Sequence, residues 1–289
     1  MPDFGAGVSV ELEEHVAVVT LDRPPVNAVD RDAHVAINAA FDSLNDDKDV
    51  RVAIFTAAGD RAFCAGADLR TVNQRPADLV PTAITDPARY ARDAFWSITD
   101  CAVPVIGAIN GPALGAGLAY AACCDILIAS SNATFGTTEI NVGLLGASAH
   151  LSMLVGRHKA RELFFTGDTI SADELYRLGA LRAVVAREDL NDAALELART
   201  LAAKSPIALR LAKEAMNRVE DLPLGKASVA GMDGCDRRLV LLLRPARKVM
   251  HDSVGHQWLL SDRSKPCVAT ISRTAGTDES MVGWASVPD

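Results

Sequence analysis

The feature that most constrains this chain is a stretch of 24 residues, Cys101–Cys124, without a single charged side chain. A stretch of this length could form a membrane-spanning helix. It contains, however, Pro104, Gly107 and the turn sequence Asn110-Gly111-Pro112, which would break such a helix. The stretch is therefore predicted to be a buried strand, a turn and the start of a helix, packed in the core around an active site.

Apolar segments of strand length alternate with helical segments on both sides of this stretch. Strands are predicted at His15–Leu21, Val52–Thr56, Val105–Ile109 and Asp125–Ala129, and helix starts at Asp30, Asp86-Pro87, Gly115 and Ser205-Pro206. Strands that alternate with helices favour a parallel sheet, so the fold class is predicted to be α/β. With 289 residues, the chain can form one large domain, or a core domain with a smaller C-terminal appendage.

The charge balance and the cysteine pattern exclude several classes of protein. Lys and Arg number 29 against 37 Asp and Glu, which gives a net charge of -8, and the basic residues are scattered. Binding to nucleic acid or to an anionic membrane is therefore not expected. The six cysteines contain no CxxC pair and no histidine cluster accompanies them, which predicts reduced thiols and no metal site. Because the N-terminus lacks the pattern of a signal peptide, we expect a cytoplasmic protein without membrane insertion.

Two segments rich in glycine and alanine follow predicted strands, Ala62–Leu69 and Asn110–Gly117. Small side chains let a ligand approach backbone N–H groups closely, and two such groups directed at one point would form an oxyanion hole. A simple tight turn is the alternative reading of each segment. A dinucleotide site is a further alternative, but its G-x-G-x-x-G pattern fails because Tyr120 stands where the third glycine should be.

Five segments form a recognisable series in order and spacing: RPPVNA at 23–28, FCAGADL at 63–69, PVIGAING at 104–111, ALGAG at 113–117 and FGTTE at 135–139. With this series the chain resembles the crotonase (enoyl-CoA hydratase/isomerase) superfamily from Val8 to Arg218. The resemblance implies a crotonase-like spiral core of ββα turns with a C-terminal helical region, assembled as a homotrimer or a dimer of trimers. It also implies an acyl-CoA substrate, with no cofactor beyond the coenzyme A that the substrate carries.

The resemblance assigns roles to residues of the matching segments. The oxyanion-hole N–H groups would belong to Ala67 and Ala116, which would hold the thioester carbonyl between them. The residues expected to bind the CoA and acyl parts of the substrate are Pro25, Val26, Ala28, Ala65, Ala67, Asp68, Leu69, Leu114, Gly115 and Ala116. Asp68 and Asp125 are interpreted as cap or turn residues. The acyl specificity would depend on Thr71–Thr85 and on the helix around Tyr90 to Phe95.

Glu139 aligns with the second catalytic glutamate of the superfamily and is the predicted acid/base group, whereas a lone Glu is otherwise a solvated surface residue. The first catalytic glutamate of hydratases should fall at Ala119 and is absent. A second departure is the segment Gly143–His150, where hydratases show a Pro and a glycine cluster. His150 could supply a proton donor there, or could be a helix-face histidine with a structural hydrogen bond.

These observations predict an enoyl-CoA-transforming enzyme in which Glu139 is the single acid/base, which favours isomerisation. A hydratase that replaces the missing glutamate by His150 or a hydroxyl group is the first alternative, and an acyl-CoA-binding protein without catalysis is the second. The predicted domains are a spiral core at 1–200 that contains the CoA and active sites, a C-terminal helical region at 201–260 and a divergent tail at 261–289. The C-terminal pattern of the family is missing after Leu224, which leaves CoA contacts there open.

Overall fold

A computed structural model of the chain describes residues 3–72, 88–220, 268–270 and 283–285. The chain divides into two compact units, Met1–Cys235 and Asp236–Asp289. The described part of the second unit is a strand pair, β10 (Val268–Thr270) and β11 (Gly283–Ala285). All other elements belong to the first unit. The three predicted domains stay predictions.

A six-stranded sheet forms the centre of the first unit, in the order β1-β2-β3-β4-β6-β9. Its strands are β1 (Val8–Glu13), β2 (Val16–Leu21), β3 (Val52–Ala57), β4 (Val105–Ile109), β6 (Ile126–Ser130) and β9 (Ala183–Val185). The strands from β2 to β9 are parallel, as the sequence predicts. The unpredicted β1 pairs antiparallel with β2, because only Glu14 and His15 separate the two strands and Glu14 adopts a positive φ of 56°.

A second sheet of three short strands carries the residues of the predicted site. Its strands are β5 (Ala113–Leu114), β7 (Thr134–Gly136) and β8 (Thr169–Ser171). β5 pairs parallel with β7, which brings Leu114 opposite Gly136. The segment just before Glu139, the predicted acid/base, therefore lies beside the glycine-rich segment just before Ala116.

Nine α-helices and two short 3₁₀ helices complete the described part of the chain. The α-helices are α1 (Arg31–Asn45), α2 (Leu69–Val72), α3 (Arg89–Thr99), α4 (Ala116–Ala122), α5 (Ser148–Leu154), α6 (Arg157–Thr166), α7 (Ala172–Arg177), α8 (Leu190–Ala202) and α9 (Pro206–Val219). The 3₁₀ helices are Thr138–Val142 and Arg187–Asp189. Asp30 caps α1 by accepting from the N–H of Ala33, and Ser205 caps α9 in the same way, as their positions predict.

The uncharged stretch forms β4, β5 and α4, with a turn between the two strands, which confirms its prediction as buried core. In the described parts of the chain, no helix combines the length and the apolar character that a membrane crossing requires. The predicted helix start at Asp86-Pro87 lies outside the described residues. The helix itself spans Arg89–Thr99 and includes the predicted stretch from Tyr90 to Phe95.

The large sheet is buried on both faces because its strands alternate between two apolar clusters. On one face, Val52 and Ile54 pack with residues of α8. On the other face, Phe55 lies in a larger cluster and contacts Phe41 of α1, with ring centroids 5.4 Å apart. The α-helical layers thus cover both faces of the sheet, as expected for a mainly parallel sheet.

α9 is attached to the core by a buried lysine. The ammonium of Lys213 donates to a carboxylate oxygen of Asp125 over 2.7 Å and to the carbonyl oxygens of Ile98 and Val103 over 3.2 Å each. The carboxylate of Asp125 also accepts from the N–H of Val105. Asp125 therefore has a structural role where β4 begins, which agrees with its interpretation as a turn residue.

Candidate active site

The two glycine-rich loops lie side by side and are joined by backbone hydrogen bonds. The N–H of Leu114 donates to the carbonyl oxygen of Cys64 over 2.9 Å, and the N–H of Phe63 donates to that of Pro112 over 3.0 Å. A Cβ added at Gly117 would overlap the carbonyl oxygen of Cys64. Glycine is therefore required at position 117 for the loops to approach this closely.

The N–H groups of Ala67 and Ala116 are both available to a ligand. Backbone groups on both sides of Ala67 bond to Val29: the carbonyl oxygen of Gly66 accepts from its N–H, and the N–H of Asp68 donates to its carbonyl oxygen. The N–H of Ala67 therefore points to the opposite side. Ala116 is the first residue of α4, where an N–H has no intrahelical acceptor. For neither N–H does an acceptor occur among the described residues. A Cβ on Gly66 would lie 3.8 Å from the nitrogen of Ala116, so the two loops meet at this point.

The predicted CoA-binding element after β2 is fixed against the same loops. The carbonyl oxygen of Val26 accepts from the N–H of Ala65 over 3.0 Å. The amide of Asn27 donates to the carbonyl oxygens of Ala58 and Ala62 over 2.9 Å each. The structure thus brings together the Pro25–Ala28 element and the Ala65–Leu69 segment, which the sequence predicts to bind one substrate.

Arg23 organises this element from within the protein. Its guanidinium donates to the carbonyl oxygens of Ala28 and Ala6, over 3.0 and 3.1 Å, and to a carboxylate oxygen of Asp30 over 2.6 Å. The same carboxyl group caps α1. Arg23 therefore orients the loop that is expected to hold CoA, although sequence reasoning considered it only as part of a motif.

Two of the predicted substrate-binding residues lie at the edge of the site. Asp68 accepts from the backbone N–H of Arg70 over 3.0 Å and pairs with its guanidinium over 2.7 Å. These side-chain hydrogen bonds lower the pKa of Asp68 to about 2, so it is a fixed anion that holds a turn. Leu69 opens α2 and is half exposed. Residues 73–87, which make up most of the predicted acyl-lining segment, lie outside the described residues.

Glu139 is held against the N-terminal end of α4. It lies in the 3₁₀ helix Thr138–Val142 and is half-buried. A Cβ added at Gly115 would lie 2.6 Å from its Oε1 atom, and one added at Gly146 would lie 2.5 Å from the same atom. Its Oε2 atom is buried and has no hydrogen-bond partner among the described residues. Burial raises the pKa of Glu139, which makes the carboxylate a stronger base than an exposed Glu.

Ala119 lies on α4, one turn after Ala116, and is fully buried. Its methyl group cannot transfer a proton. The structure therefore places Ala67, Ala116 and Glu139 around one end of α4, together with Gly115 and Leu114, and supplies no carboxylate at position 119.

His150 lies on α5, which packs against α4. Its ring meets that of Phe95 in an edge-to-face contact, with centroids 4.9 Å apart. Burial lowers the pKa of His150, and its buried Nδ1 atom has no hydrogen-bond partner in the ranges that the structure describes. The alternative prediction of a structural hydrogen bond is therefore not met at Nδ1. Among the described residues, no group of three or more His, Cys, Asp or Glu could hold a metal ion.

Sequence reasoning missed a second buried histidine in this region. The hydroxyl of Tyr120 and the Nδ1 of His34 are hydrogen-bonded over 2.6 Å, which joins α4 to α1. Burial lowers the pKa of His34 to about 4, so its imidazole is neutral. Phe95 contacts both rings. The two residues are 86 positions apart, and no sequence signal connects them.

Comparison with known proteins places these features in context. Residues 11–232 match the family described as Enoyl-CoA hydratase/isomerase. The (7aS)-7a-methyl-1,5-dioxo-2,3,5,6,7,7a-hexahydro-1H-indene-carboxyl-CoA hydrolase of Mycobacterium tuberculosis is 41% identical over 72% of this chain and 83% of its own. The crotonyl-CoA hydratase of Syntrophomonas wolfei is 36% identical over 73% and 81%.

The fold has solved counterparts. The crystal structure of an enoyl-CoA hydratase from Mycobacterium smegmatis superposes with a TM-score of 0.76 at 28% identity, over 86% of this chain and 95% of that one. The predicted crotonase-like α/β fold is confirmed by this likeness.

Proposed function

The chain is an acyl-CoA-processing enzyme that belongs to the enoyl-CoA hydratase/isomerase family, the crotonase superfamily, and from this premise we propose that it works through an enolate with Glu139 as its single acid/base. One observation carries the proposal. The carboxylate of Glu139 lies against Gly115, next to the unpaired N–H of Ala116, while Ala119 offers no second carboxylate. The N–H proposed to stabilise the enolate charge and the carboxylate proposed to transfer the proton are thus adjacent.

The oxyanion hole is the first part of the proposed mechanism. The thioester carbonyl oxygen accepts from the N–H groups of Ala67 and Ala116. Negative charge grows on this oxygen as the α-carbon loses its proton, and the two donors stabilise it. Each such donor typically contributes about 3 kcal/mol. Both donors belong to the backbone, so alanine serves as well as glycine at position 116.

Proton transfer by Glu139 is the second part. The carboxylate removes a proton from C2 of a 3-enoyl thioester, and the electron pair moves through the dienolate onto the thioester oxygen. The same carboxyl group then returns the proton at C4, which leaves a 2-enoyl thioester. Only one acid/base is needed, and the desolvated carboxylate of Glu139 is suited to it. Isomerisation is therefore the reaction that a single carboxylate serves best.

Hydration makes a heavier demand on the site. Adding water across a 2-enoyl thioester is served in the superfamily by two carboxylates, of which the first is missing at Ala119. His150 could replace it only as a protonated imidazole, and burial disfavours that charged form by lowering its pKa. Hydration through His150 therefore ranks behind isomerisation in this proposal.

Hydrolysis is a second candidate, because the mycobacterial relative at 41% identity is named as a hydrolase of a CoA thioester with a bicyclic dioxo group. One carboxylate can deprotonate a water molecule for attack on a carbonyl carbon. The bond between that carbon and the α-carbon of the thioester then breaks, which opens a ring that contains both carbons and leaves an enolate for the same oxyanion hole to stabilise. The proton that Glu139 took from water passes to the α-carbon. This reaction also fits a site that contains Glu139 alone.

A panel of thioesters separates these reactions. The native enzyme is supplied with 3-enoyl, 2-enoyl and cyclic oxo-acyl thioesters of several sizes, and the products are separated by liquid chromatography. We expect isomerisation of 3-enoyl thioesters to exceed hydration of 2-enoyl ones, and Ala119→Glu to raise hydration if the larger side chain fits. Efficient hydration without isomerisation would contradict the single-base proposal, and ring opening alone would favour the hydrolase.

A further inference from the structure

His150 presents a buried polar atom that the proposed mechanism does not use. Its Nδ1 atom is buried and has no hydrogen-bond partner within residues 3–72 and 88–220, which the structure describes. A buried polar group without a partner destabilises a protein, so such atoms are rare in native structures and call for an explanation. A bound ligand that supplies the missing partner is one such explanation.

The position of His150 relates this atom to the proposed site. Gly146, which contacts the carboxylate of Glu139, is followed after Ala147 by α5 and hence by His150. α5 packs on α4, the helix that begins with Ala116. The Oε2 atom of Glu139 is likewise buried and without a partner. One of these two polar atoms therefore lies beside Gly115, and the other lies on the next helix, which packs against α4.

The ring of His150 packs against Phe95, and its Nδ1 atom makes no hydrogen bond to the described part of the chain. The ring of Phe95, on α3, meets that of His150 at an interplanar angle of 66°. It also contacts the ring of Tyr120, on α4, with ring centroids 5.1 Å apart. α3, α4 and α5 thus meet at this aromatic contact. Phe95 and His150 are each half-buried, and their contact is apolar except for the imidazole nitrogens. Aromatic residues with one polar group among them suit the acyl part of a substrate, because the polar group can orient it.

We infer that Nδ1 of His150 binds an oxygen atom carried by the acyl group, and that the preferred substrates are acyl-CoA thioesters with an oxo or hydroxyl group away from the thioester. This inference rests on the proposed function, because it assumes that the acyl group lies beside Glu139. A neutral imidazole can donate from Nδ1 to an oxo oxygen, or accept there from a hydroxyl group. Burial, which lowers the pKa of His150, maintains the neutral form.

This hydrogen bond would make the enzyme selective for oxygenated acyl groups over plain hydrocarbon chains. A site built around a hydrogen bond discriminates against a substrate that lacks the matching group, because the buried protein atom then stays unpaired. A plain hydrocarbon chain would leave Nδ1 without a partner. We therefore expect the native enzyme to prefer the oxygenated substrate by at least about tenfold in kcat/KM.

The test uses thioesters that share one carbon skeleton, with an oxo or hydroxyl group at successive carbons beyond C3, and the unsubstituted parent. kcat/KM is measured for each in the native enzyme, in His150→Phe and in His150→Asn. Phenylalanine keeps the ring packing on Phe95 and removes the nitrogen. Asparagine places an amide group close to where Nδ1 stands.

The expected outcome is a preference in the native enzyme that falls to about parity in His150→Phe and largely returns in His150→Asn. A native enzyme without preference for any oxygenated thioester would overturn the inference. So would a His150→Phe variant that keeps the full preference. Equal losses for the oxygenated and the parent thioester would also overturn it, because they would indicate a packing role alone.

A binding measurement separates this inference from the proposed function. Dissociation constants for the same thioesters are measured calorimetrically in two proteins that carry Glu139→Gln, which suppresses turnover. One keeps His150, and the other also carries His150→Phe. If the native enzyme binds the thioesters but transforms none, the proposed function fails. The inference about His150 then stands or falls on whether the oxygenated thioester binds about tenfold tighter than its parent, and only with His150 present.

Discussion

At the scale of single residues, Glu139 is positioned by two glycines. Gly115 and Gly146 each approach its Oε1 atom so closely that a Cβ at either position would collide with the carboxylate. Gly115 also has a φ of 54°, which other residues rarely adopt. The proposed catalytic carboxylate, whose Oε2 has no hydrogen-bond partner in the described part of the chain, is thus held by the shape of its surroundings.

The first prediction concerns Gly115→Ala. The added Cβ would displace the carboxylate, and a displacement of about 1 Å can lower the rate about 10²-fold. Gly179→Ala is the matched control, since Gly179 also has a positive φ, of 86°, but an added Cβ there would contact nothing within 4 Å. Both variants should lose about 1 kcal/mol in thermal or urea unfolding. Equal activity of the two variants would show that Gly115 does not position the carboxylate of Glu139.

The second prediction follows from the raised pKa of Glu139. Its native pKa lies above the ordinary value of 4.5. Between those two values the native state binds more protons than the unfolded state, so the free energy of unfolding falls as the pH rises through this window. Glu139→Gln removes this titration and should become more stable relative to the native enzyme as the pH increases.

Urea unfolding at about pH 4 and about pH 7.5 measures this difference. The variant Glu188→Gln, at an exposed position, is the control for the change from Glu to Gln itself. A stability difference between Glu139→Gln and the native enzyme that is the same at both pH values would show that the pKa of Glu139 is not raised. In activity, the same raised pKa predicts that turnover is lost on acidification at a higher pH than for an exposed carboxylate.

At the scale of elements, α4 joins the parts of the site. It begins with Ala116, presses Gly117 against the loop at Cys64, and is tied to α1 through Tyr120 and His34. Its packing against α5 brings in the segment of His150. The N-terminal end of α4 is therefore where the proposed oxyanion hole and the carboxylate of Glu139 meet.

The third prediction is that Ala116→Pro depresses turnover strongly. The structure places Ala116 at the first position of α4, where proline is tolerated because the missing N–H has no intrahelical role. The variant should therefore keep its helical circular dichroism and lose about 10²- to 10³-fold in kcat. Arg157→Pro, at the exposed first position of α6, is the control for the substitution itself. A folded Ala116→Pro enzyme with native rates would locate the hole elsewhere.

Elements with their own local signals were predictable from the sequence, and long-range contacts were not. Asp30 and Ser205 begin helices because capping depends on nearby residues, and the bounds of the four predicted strands agree with the structure to within one residue at each end. β1 was missed because it alternates Val8 and Val10 with polar residues and ends in exposed ones. The contacts of Glu139 with Gly115 and Gly146, and that of His34 with Tyr120, depend on tertiary packing, for which one sequence carries no signal.

At the scale of the whole molecule, several large apolar side chains are exposed on the first unit. They include Val142, Leu145, Phe165 and Met216. Exposed apolar residues of this size mark interaction surfaces in many proteins. The resemblance to the superfamily implies that further copies of the same chain bind to such surfaces.

The fourth prediction is therefore that the protein assembles as a homotrimer or a dimer of trimers. Light scattering coupled to size-exclusion chromatography should give three or six times the chain mass of 30.6 kDa. Leu145→Glu, which places a charge at an exposed apolar position, should weaken assembly, whereas Glu188→Gln should not. A monomer at concentrations where the enzyme is active would contradict the prediction.

The chemistry of the molecule as a whole depends on one claim, that Glu139 moves the α-proton of a thioester held at the N-terminus of α4. Exchange of α-protons for deuterium tests this claim independently of the final product. A saturated acyl-CoA is incubated in D₂O with the native enzyme and with Glu139→Gln, and the α-CH₂ signal is followed by proton NMR. The native enzyme should exchange these protons, and Glu139→Gln should bind the thioester but exchange them about 10²- to 10⁴-fold more slowly. Equal exchange rates in the two proteins, or a native enzyme that binds the thioester without exchange, would contradict the claim.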